Sequence, residues 1–149
     1  MANTRRWRRG RLALVIAAAL AIACGGSDKG TGPVPCDTYT GGIIGSTTLA
    51  GTYDLKSFCE GMKPNVAGAS GTVSITPTDF TADVTLPSGT TTYSGAYTIS
   101  DPDGITVVLT SPVAGPEFVG TYRVTIDSLY VSGAVGTEKF AFIGTRVVP

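Results

Sequence analysis

The stretch Asp79-Phe80-Thr81-Ala82-Asp83-Val84-Thr85-Leu86 places an apolar side chain at every second position. The same alternation recurs in residues 104–110 and 118–126. Successive side chains of a β-strand point to opposite faces, so a period of two predicts strands that bury one face. We find no helical period of 3.6 residues after position 24. The sequence therefore predicts an all-β domain.

Clusters of Pro, Gly, Asp and Ser separate the alternating segments, as in Pro87-Ser88-Gly89. Asp127-Ser128, between the inward-facing Ile126 and Leu129, predicts a two-residue hairpin loop. The pattern predicts eight strands, near residues 51–59, 71–76, 79–86, 91–99, 104–110, 118–126, 129–135 and 138–147. This spacing is typical of an antiparallel up-and-down meander, which forms either a closed barrel or a β-sandwich.

The segment before the first of these strands is predicted to add a ninth strand. An antiparallel pairing of Cys36 with Cys59 centres the connecting turn at residues 47–48. Residues 43–44 then lie alongside residues 53–55. The longest gap between the later strands follows at residues 60–70.

Aromatic residues fall largely on the inward face of the predicted strands: Phe80, Tyr93, Tyr97, Phe118, Tyr122, Phe140 and Phe142. Inward side chains of an eight-stranded barrel either fill the interior or surround one small ligand. The sequence leaves both interpretations open. If there is a cavity, its predicted lining residues are Phe80, Tyr93, Tyr97, Tyr122, Phe140 and Phe142.

The first predicted strand opens with Gly51-Thr52-Tyr53, and the last strand carries Arg146. These features resemble the lipocalin and calycin group of small β-barrels, which begin with Gly-x-Trp and place an arginine over that ring. The gap at residues 60–70 is similar to the family's large first loop. The resemblance spans residues 51–149 and implies that Gly51, Tyr53 and Arg146 close the barrel. It also implies that the barrel holds a small apolar molecule.

Five arginines lie within residues 5–11, and an uncharged run of twelve residues follows at positions 12–23. A basic head before a short apolar segment is typical of an export signal. A transmembrane helix needs about 20 apolar residues, so this run is too short to span a bilayer. Leu20-Ala21-Ile22-Ala23-Cys24 resembles the lipobox of bacterial lipoproteins, in which a peptidase cuts before an acylated cysteine. The resemblance implies that residues 1–23 are removed and that acylated Cys24 anchors the chain to a membrane.

Residues 25–35 read Gly-Gly-Ser-Asp-Lys-Gly-Thr-Gly-Pro-Val-Pro and contain almost no apolar side chain. Such a composition predicts a flexible tether, which makes residues 24–35 a lipid-anchored linker and residues 36–149 the β domain. In lipoproteins of this kind an Asp after the cysteine commonly signals retention in the inner membrane. Gly25 takes that place here. The resemblance thus favours the periplasmic face of the outer membrane or the cell surface.

The net charge of zero hides an asymmetry along the chain. Five of the eleven basic residues precede Cys24 and all eleven acidic residues follow it, so six basic residues face eleven acidic ones and give −5. An acidic domain without a basic cluster argues against a nucleic-acid partner. Acylation of Cys24 leaves Cys36 and Cys59 to form a disulfide in an oxidising compartment. The alternative is two buried free thiols.

Residue types that commonly carry catalysis are missing. The chain has no histidine, and the Gly-x-Ser-x-Gly motif of a nucleophile elbow does not occur. Asp101-Pro102-Asp103-Gly104 hints at a calcium loop. However, Ile105 and Thr106 stand where an EF-hand needs an oxygen ligand and a glycine, so we interpret it as a β-turn. We expect no enzyme activity, no metal and no cofactor.

Two function classes follow from these observations. The first is a lipid-anchored cell-envelope protein whose lipocalin-like barrel binds a small hydrophobic ligand. The second is a non-catalytic structural or interaction module that presents its loops to an envelope protein or to the cell wall. A cavity separates the two hypotheses, because a packed interior cannot hold a ligand.

Overall fold

The computed structural model describes residues 36–148, so the predicted signal, Cys24 and the tether lie outside the described range. Nine strands form this region: β1 (Gly42–Ile43), β2 (Gly51–Glu60), β3 (Ser70–Ile75), β4 (Asp79–Leu86), β5 (Gly89–Ser100), β6 (Gly104–Ser111), β7 (Phe118–Val124), β8 (Ser128–Val135) and β9 (Glu138–Arg146). The eight predicted strands all appear, and their ends differ from the prediction by at most two residues.

Strands β2 to β9 form a closed antiparallel barrel, which confirms the up-and-down meander and excludes the sandwich. Each strand pairs with the next along the chain, and β9 returns to pair with β2. Tyr53 lies opposite Arg146 at this closure. The ladder between β6 and β7 covers only residues 118–121 of β7, so the edge of β7 at residues 123–124 stays open to another strand.

The barrel has two distinct ends. We call one the floor end; it carries the turns at residues 76–78, 101–103 and 125–127. The other is the mouth end, which carries the connections at residues 61–69, 87–88, 112–117 and 136–137. The fully buried side chains Tyr53, Val124 and Leu129 all lie close to the floor end of their strands.

Residues 36–50, which we call the strap, run along the outside of the barrel from the mouth end to the floor end. The strap begins at Cys36, which forms a disulfide with Cys59 near the mouth end of β2. Farther along, the Tyr39 amide donates a hydrogen bond to Ser132 Oγ at 2.7 Å. Ser132 is a buried polar residue on the outer face of β8, and this bond satisfies it.

The ninth strand exists, but its predicted partner was wrong. β1 runs parallel to β7, with Gly42 opposite Arg123 and Ile43 opposite Val124. Residues 43–44 therefore do not pair with residues 53–55. The reason is that β3 and β9 already occupy both edges of β2 around residues 53–54. The disulfide joins the strap to the outer face of β2 without a hairpin between them.

The connection between β7 and β8 also differs from the prediction, because it has three residues rather than two. Thr125 Oγ1 accepts a hydrogen bond from the Ser128 amide at 3.1 Å, and the Thr125 amide donates to the Ser128 carbonyl at 2.8 Å. This side-chain closure is typical of Ser and Thr turns. Ile126 consequently stands at the turn tip with 74% exposure instead of facing inward.

The core lies inside the barrel and follows the period of two seen in the sequence. Its buried members are Leu49, Tyr53, Leu55, Val73, Ala82, Val84, Ile105, Tyr122, Val124, Leu129 and Val131. Within residues 36–148 there is no helix long and apolar enough to cross a membrane.

Candidate functional site

The floor of the barrel is built around Tyr53, whose side chain has no solvent exposure. Its hydroxyl donates a hydrogen bond to the Leu49 carbonyl at 2.8 Å and accepts one from Arg146 Nη2. Arg146 Cζ also lies 4.8 Å from the centre of the Tyr53 ring. A cation over an aromatic face contributes about 0.5–2 kcal/mol. The Tyr53 side chain, which belongs to β2, thereby contacts both the strap and β9.

Arg146 fastens the end of the strap to the floor. Nη1 donates to the Ala50 carbonyl at 3.0 Å, and Nη2 donates to the Thr48 carbonyl and to Thr47 Oγ1. Hydrogen bonds from a charged donor are roughly twice as strong as those between neutral groups. These bonds hold the residues on either side of Leu49, so the buried Leu49 side chain closes the floor end of the lumen.

Gly51 is needed for this arrangement. It has a φ of +152°, and a Cβ atom at this position would collide with the Arg146 guanidinium. Any larger residue forces the guanidinium away from Tyr53. The Gly-x-Tyr opening and the Arg in the last strand are thus parts of one contact.

An apolar cavity of about 260 Å³ lies inside the barrel above this floor. Its main lining residues come from all eight barrel strands and from the strap: Leu49, Leu55, Phe58, Val73, Ile75, Phe80, Ala82, Val84, Tyr93, Tyr97, Ile105, Val107, Leu109, Phe118, Val131, Val135, Phe140 and Phe142. The lining of this cavity is almost entirely apolar, which suits an apolar ligand.

Five of the six aromatic residues named from the sequence as cavity lining are at the cavity wall: Phe80, Tyr93, Tyr97, Phe140 and Phe142. Tyr122, the sixth, points into the core but is not part of the lining. It is only 3% exposed. The sequence interpretation missed the aliphatic part of the wall. The period of two in the sequence could have identified these residues, because Ala82, Val84 and Ile105 lie at inward-facing positions of their strands.

The cavity is closed at the floor and more open toward the mouth. Leu49 and Tyr53 are buried at the floor, whereas Phe58, Phe118 and Phe140, near the mouth end of their strands, are only half-buried. The 61–69 connection starts close to the barrel rim, since the Gly61 amide donates to the Lys139 carbonyl at 2.7 Å. Ile75, Phe80 and Tyr97, near the floor end of their strands, are half-buried as well. We take the mouth end as the approach for a ligand, because the strap and Arg146 cover the floor.

The cavity wall offers very little hydrogen-bonding capacity. The Tyr97 hydroxyl is already used, since it donates to the Thr76 carbonyl at 2.7 Å. Burial raises the pKa of Tyr97, and the neighbouring Tyr122 and Asp79 raise it further. The pKa of Tyr53 is also raised by burial, although Arg146 offsets part of this. Both hydroxyls are accordingly neutral at physiological pH, and the site is suited to apolar binding.

Asp103, in the turn between β5 and β6, has a structural function. Asp103 Oδ2 accepts a hydrogen bond from the Gly41 amide at 2.7 Å, which attaches the strap to this turn. Among residues 36–148 no three Cys, Asp or Glu side chains are grouped so that they could hold a metal ion. The geometry agrees with the interpretation of residues 101–104 as a turn.

Comparison of the chain with protein-family models, curated proteins and solved structures found no match. The closed eight-stranded antiparallel meander is compatible with a lipocalin-like barrel. The function therefore has to be argued from the barrel and its cavity.

Proposed function

We propose that this chain is a lipid-anchored protein of the cell envelope whose lipocalin-like barrel binds a small hydrophobic ligand. The apolar cavity inside the barrel is the observation that supports binding. A barrel that served only as a scaffold would gain stability by filling that space, because each lost packing contact costs free energy.

The cavity volume sets the size of the ligand. An engineered apolar cavity of about 150 Å³ binds benzene, which has six carbon atoms. By proportion, the 260 Å³ of this barrel accommodate about ten carbon atoms. The ligand is thus a medium-length acyl or isoprenoid chain, or the end of a longer one. Any polar head group remains at the mouth.

A series of straight-chain alcohols from six to sixteen carbons tests this proposal by titration calorimetry. Burying one methylene group contributes about 0.8 kcal/mol, which corresponds to about a fourfold gain in affinity. We expect affinity to rise by about this factor per carbon up to a length of about ten and then to level off. Absence of binding across the whole series would overturn the proposal.

A pair of neighbouring substitutions on β4 supplies the matched control. Ala82 faces the cavity, whereas Thr81 is exposed on the outer face of the same strand. Ala82→Trp puts an indole ring into the lumen and is expected to weaken decanol binding at least tenfold. Thr81→Trp is expected to leave it unchanged. Equal affinities for decanol in the two variants would place the binding site elsewhere.

The anchoring part of the proposal rests on the sequence around Cys24. Metabolic labelling with palmitate in an exporting bacterial host is expected to label the wild-type chain and not Cys24→Ala. The wild-type chain is expected in the membrane fraction and the variant in the periplasmic extract. A wild-type chain without label would contradict acylation and leave the barrel argument untouched.

A second candidate function is a protein-interaction module, which exposed aliphatic side chains at the floor end favour. These are Ile43, Ile44, Ile99, Ile126, Val147 and Val148. A photo-crosslinking residue at position 126, with position 81 as the control, tests this in the producing cells. A defined crosslinked partner at position 126 alone would support an envelope protein partner.

A further inference from the structure

We infer that the mouth end of the barrel docks on the surface of a lipid bilayer, so that the apolar cavity exchanges its ligand directly with the membrane. This inference rests on the proposed function, since it takes both the anchor at Cys24 and an apolar ligand as given. It adds an interaction surface, which consists of the loops 61–69 and 112–117, and it names the lipid bilayer as the partner of that surface.

The first argument is the point at which the chain leaves the barrel. The disulfide between Cys36 and Cys59 holds the start of the strap at the mouth end. Cys36 Sγ also lies 3.4 Å from the Gly61 carbonyl oxygen, where the 61–69 connection begins. The covalent link toward Cys24 thus leaves from the same end as the cavity opening.

The second argument compares the reach of the tether with the length of the barrel. Cys24 is twelve residues before Cys36, and a Gly-rich segment of that length has a root-mean-square span of about 19 Å. The ten residues of β2, tilted as in other barrels, cover about 25 Å along the barrel axis. A floor end placed on the bilayer would require a separation between Cys24 and Cys36 of about the barrel length, which exceeds this span, whereas a mouth end placed on it would not.

The third argument is the chemistry of the mouth loops. Met62 is 53% exposed and Val113 is 74% exposed at their tips. The 112–117 loop, Pro-Val-Ala-Gly-Pro-Glu, has one charge in six residues. Exposed apolar tips around an apolar opening can enter the interfacial region of a bilayer at little desolvation cost.

The fourth argument is the distribution of cations between the two ends. The mouth end exposes Lys63 and Lys139, which can contact lipid phosphates, together with the carboxylates of Asp37, Glu117 and Glu138 and the half-buried Glu60. The floor end bears Asp79, Asp101, Asp103 and Asp127 but no lysine. Its arginines are already stacked on Tyr53 and Tyr130. Within residues 36–148 the two ends carry equal numbers of carboxylates, so they differ in their cations: the lysines of the mouth end are not stacked on an aromatic ring and can meet lipid phosphates.

Single tryptophans at the two ends test the inference. Trp7 is the only tryptophan of the chain and lies in the predicted signal, so the acylated chain that begins at Cys24 provides a background without tryptophan. Val113→Trp reports on the mouth end and Ile126→Trp on the floor end, and both wild-type side chains are 74% exposed. Each acylated variant is purified from bacterial membranes and reconstituted in phosphatidylcholine vesicles that contain brominated acyl chains, which quench nearby tryptophan.

We expect brominated lipid to quench the tryptophan at position 113 at least threefold more than the one at position 126. Equal quenching, stronger quenching at position 126, or no quenching at either position would overturn docking by the mouth end. Decanol titration of the same preparations separates the two proposals. Decanol binding without quenching at position 113 rejects docking alone. Quenching at position 113 without decanol binding supports docking and rejects the ligand proposal.

Discussion

Removal of a single oxygen atom, in Tyr53→Phe, tests how the floor of the barrel is held. The variant keeps the buried ring but loses the hydrogen bond to the Leu49 carbonyl and the acceptor for Arg146. Leaving a buried acceptor unpaired costs about 1–3 kcal/mol, and a hydrogen bond to a charged group contributes about 1.5–3 kcal/mol. Arg146 keeps its hydrogen bonds to the carbonyls of Ala50 and Thr48, so we expect the free energy of unfolding to fall by about 3 kcal/mol.

Tyr53→Ala removes the ring as well. Truncation of a buried aromatic side chain costs about 3–5 kcal/mol, so the total loss is expected to reach about 6 kcal/mol. This is comparable to the whole stability of a small domain, which is about 5–15 kcal/mol. Equilibrium urea denaturation, followed by circular dichroism, measures both variants.

Tyr130→Phe is the matched control, because it deletes the same atom from a tyrosine whose hydroxyl makes no hydrogen bond within residues 36–148. Tyr130 instead holds Arg123 over its ring on the outer surface. We expect its loss of stability to stay below about 0.5 kcal/mol. If Tyr53→Phe and Tyr130→Phe cost the same, the hydrogen bonds at the floor do not hold the strap. A loss below about 1 kcal/mol for Tyr53→Ala would show that the ring is not in the core.

Two further predictions concern the strap and the tyrosines. The disulfide closes a loop across a sequence separation of 23 residues, so Cys36→Ser with Cys59→Ser is expected to lower stability by about 3 kcal/mol. Unchanged stability in the double variant would contradict this. So would a wild-type chain whose mass does not rise by two protons on reduction. Burial is the first cause that raises the pKa of four tyrosines in the folded state above the usual value of about 10, so folding retains their protons. We therefore expect a constant free energy of unfolding up to about pH 10 and a decrease as pH rises through the folded-state pKa values, measured by urea denaturation in alkaline buffers. A free energy of unfolding that stays constant up to pH 11.5 would show that the raised pKa values of these tyrosines do not affect stability: Tyr39, Tyr53, Tyr97 and Tyr122.

Much of the barrel could be predicted from local pattern. Alternation placed all eight barrel strands to within two residues, because a strand that buries one face must show a period of two. The turn residues separated them correctly for the same local reason. Only at Ile126 did this reasoning fail, since the Thr125 side chain closes a longer turn than the two-residue loop assumed.

The position of the strap depended on the tertiary structure. Nothing in residues 36–50 signals that β1 should join β7 in parallel, because that choice depends on which sheet edges the other strands leave free. The contact of Arg146 with Tyr53 was expected only through the lipocalin resemblance. The structure supplies its physical basis in Gly51, whose missing side chain leaves room for the guanidinium.

The fold class and the strands follow from the sequence alone, since they depend on side-chain periodicity and turn chemistry over a few residues. The sequence also provides the only basis for an anchor at Cys24. Whether the barrel is filled or hollow is visible only in the folded arrangement of all its strands. The width of the lumen depends on the number, tilt and stagger of all eight strands together. The same inward residues could fill a narrower barrel, and here they surround a cavity of about 260 Å³.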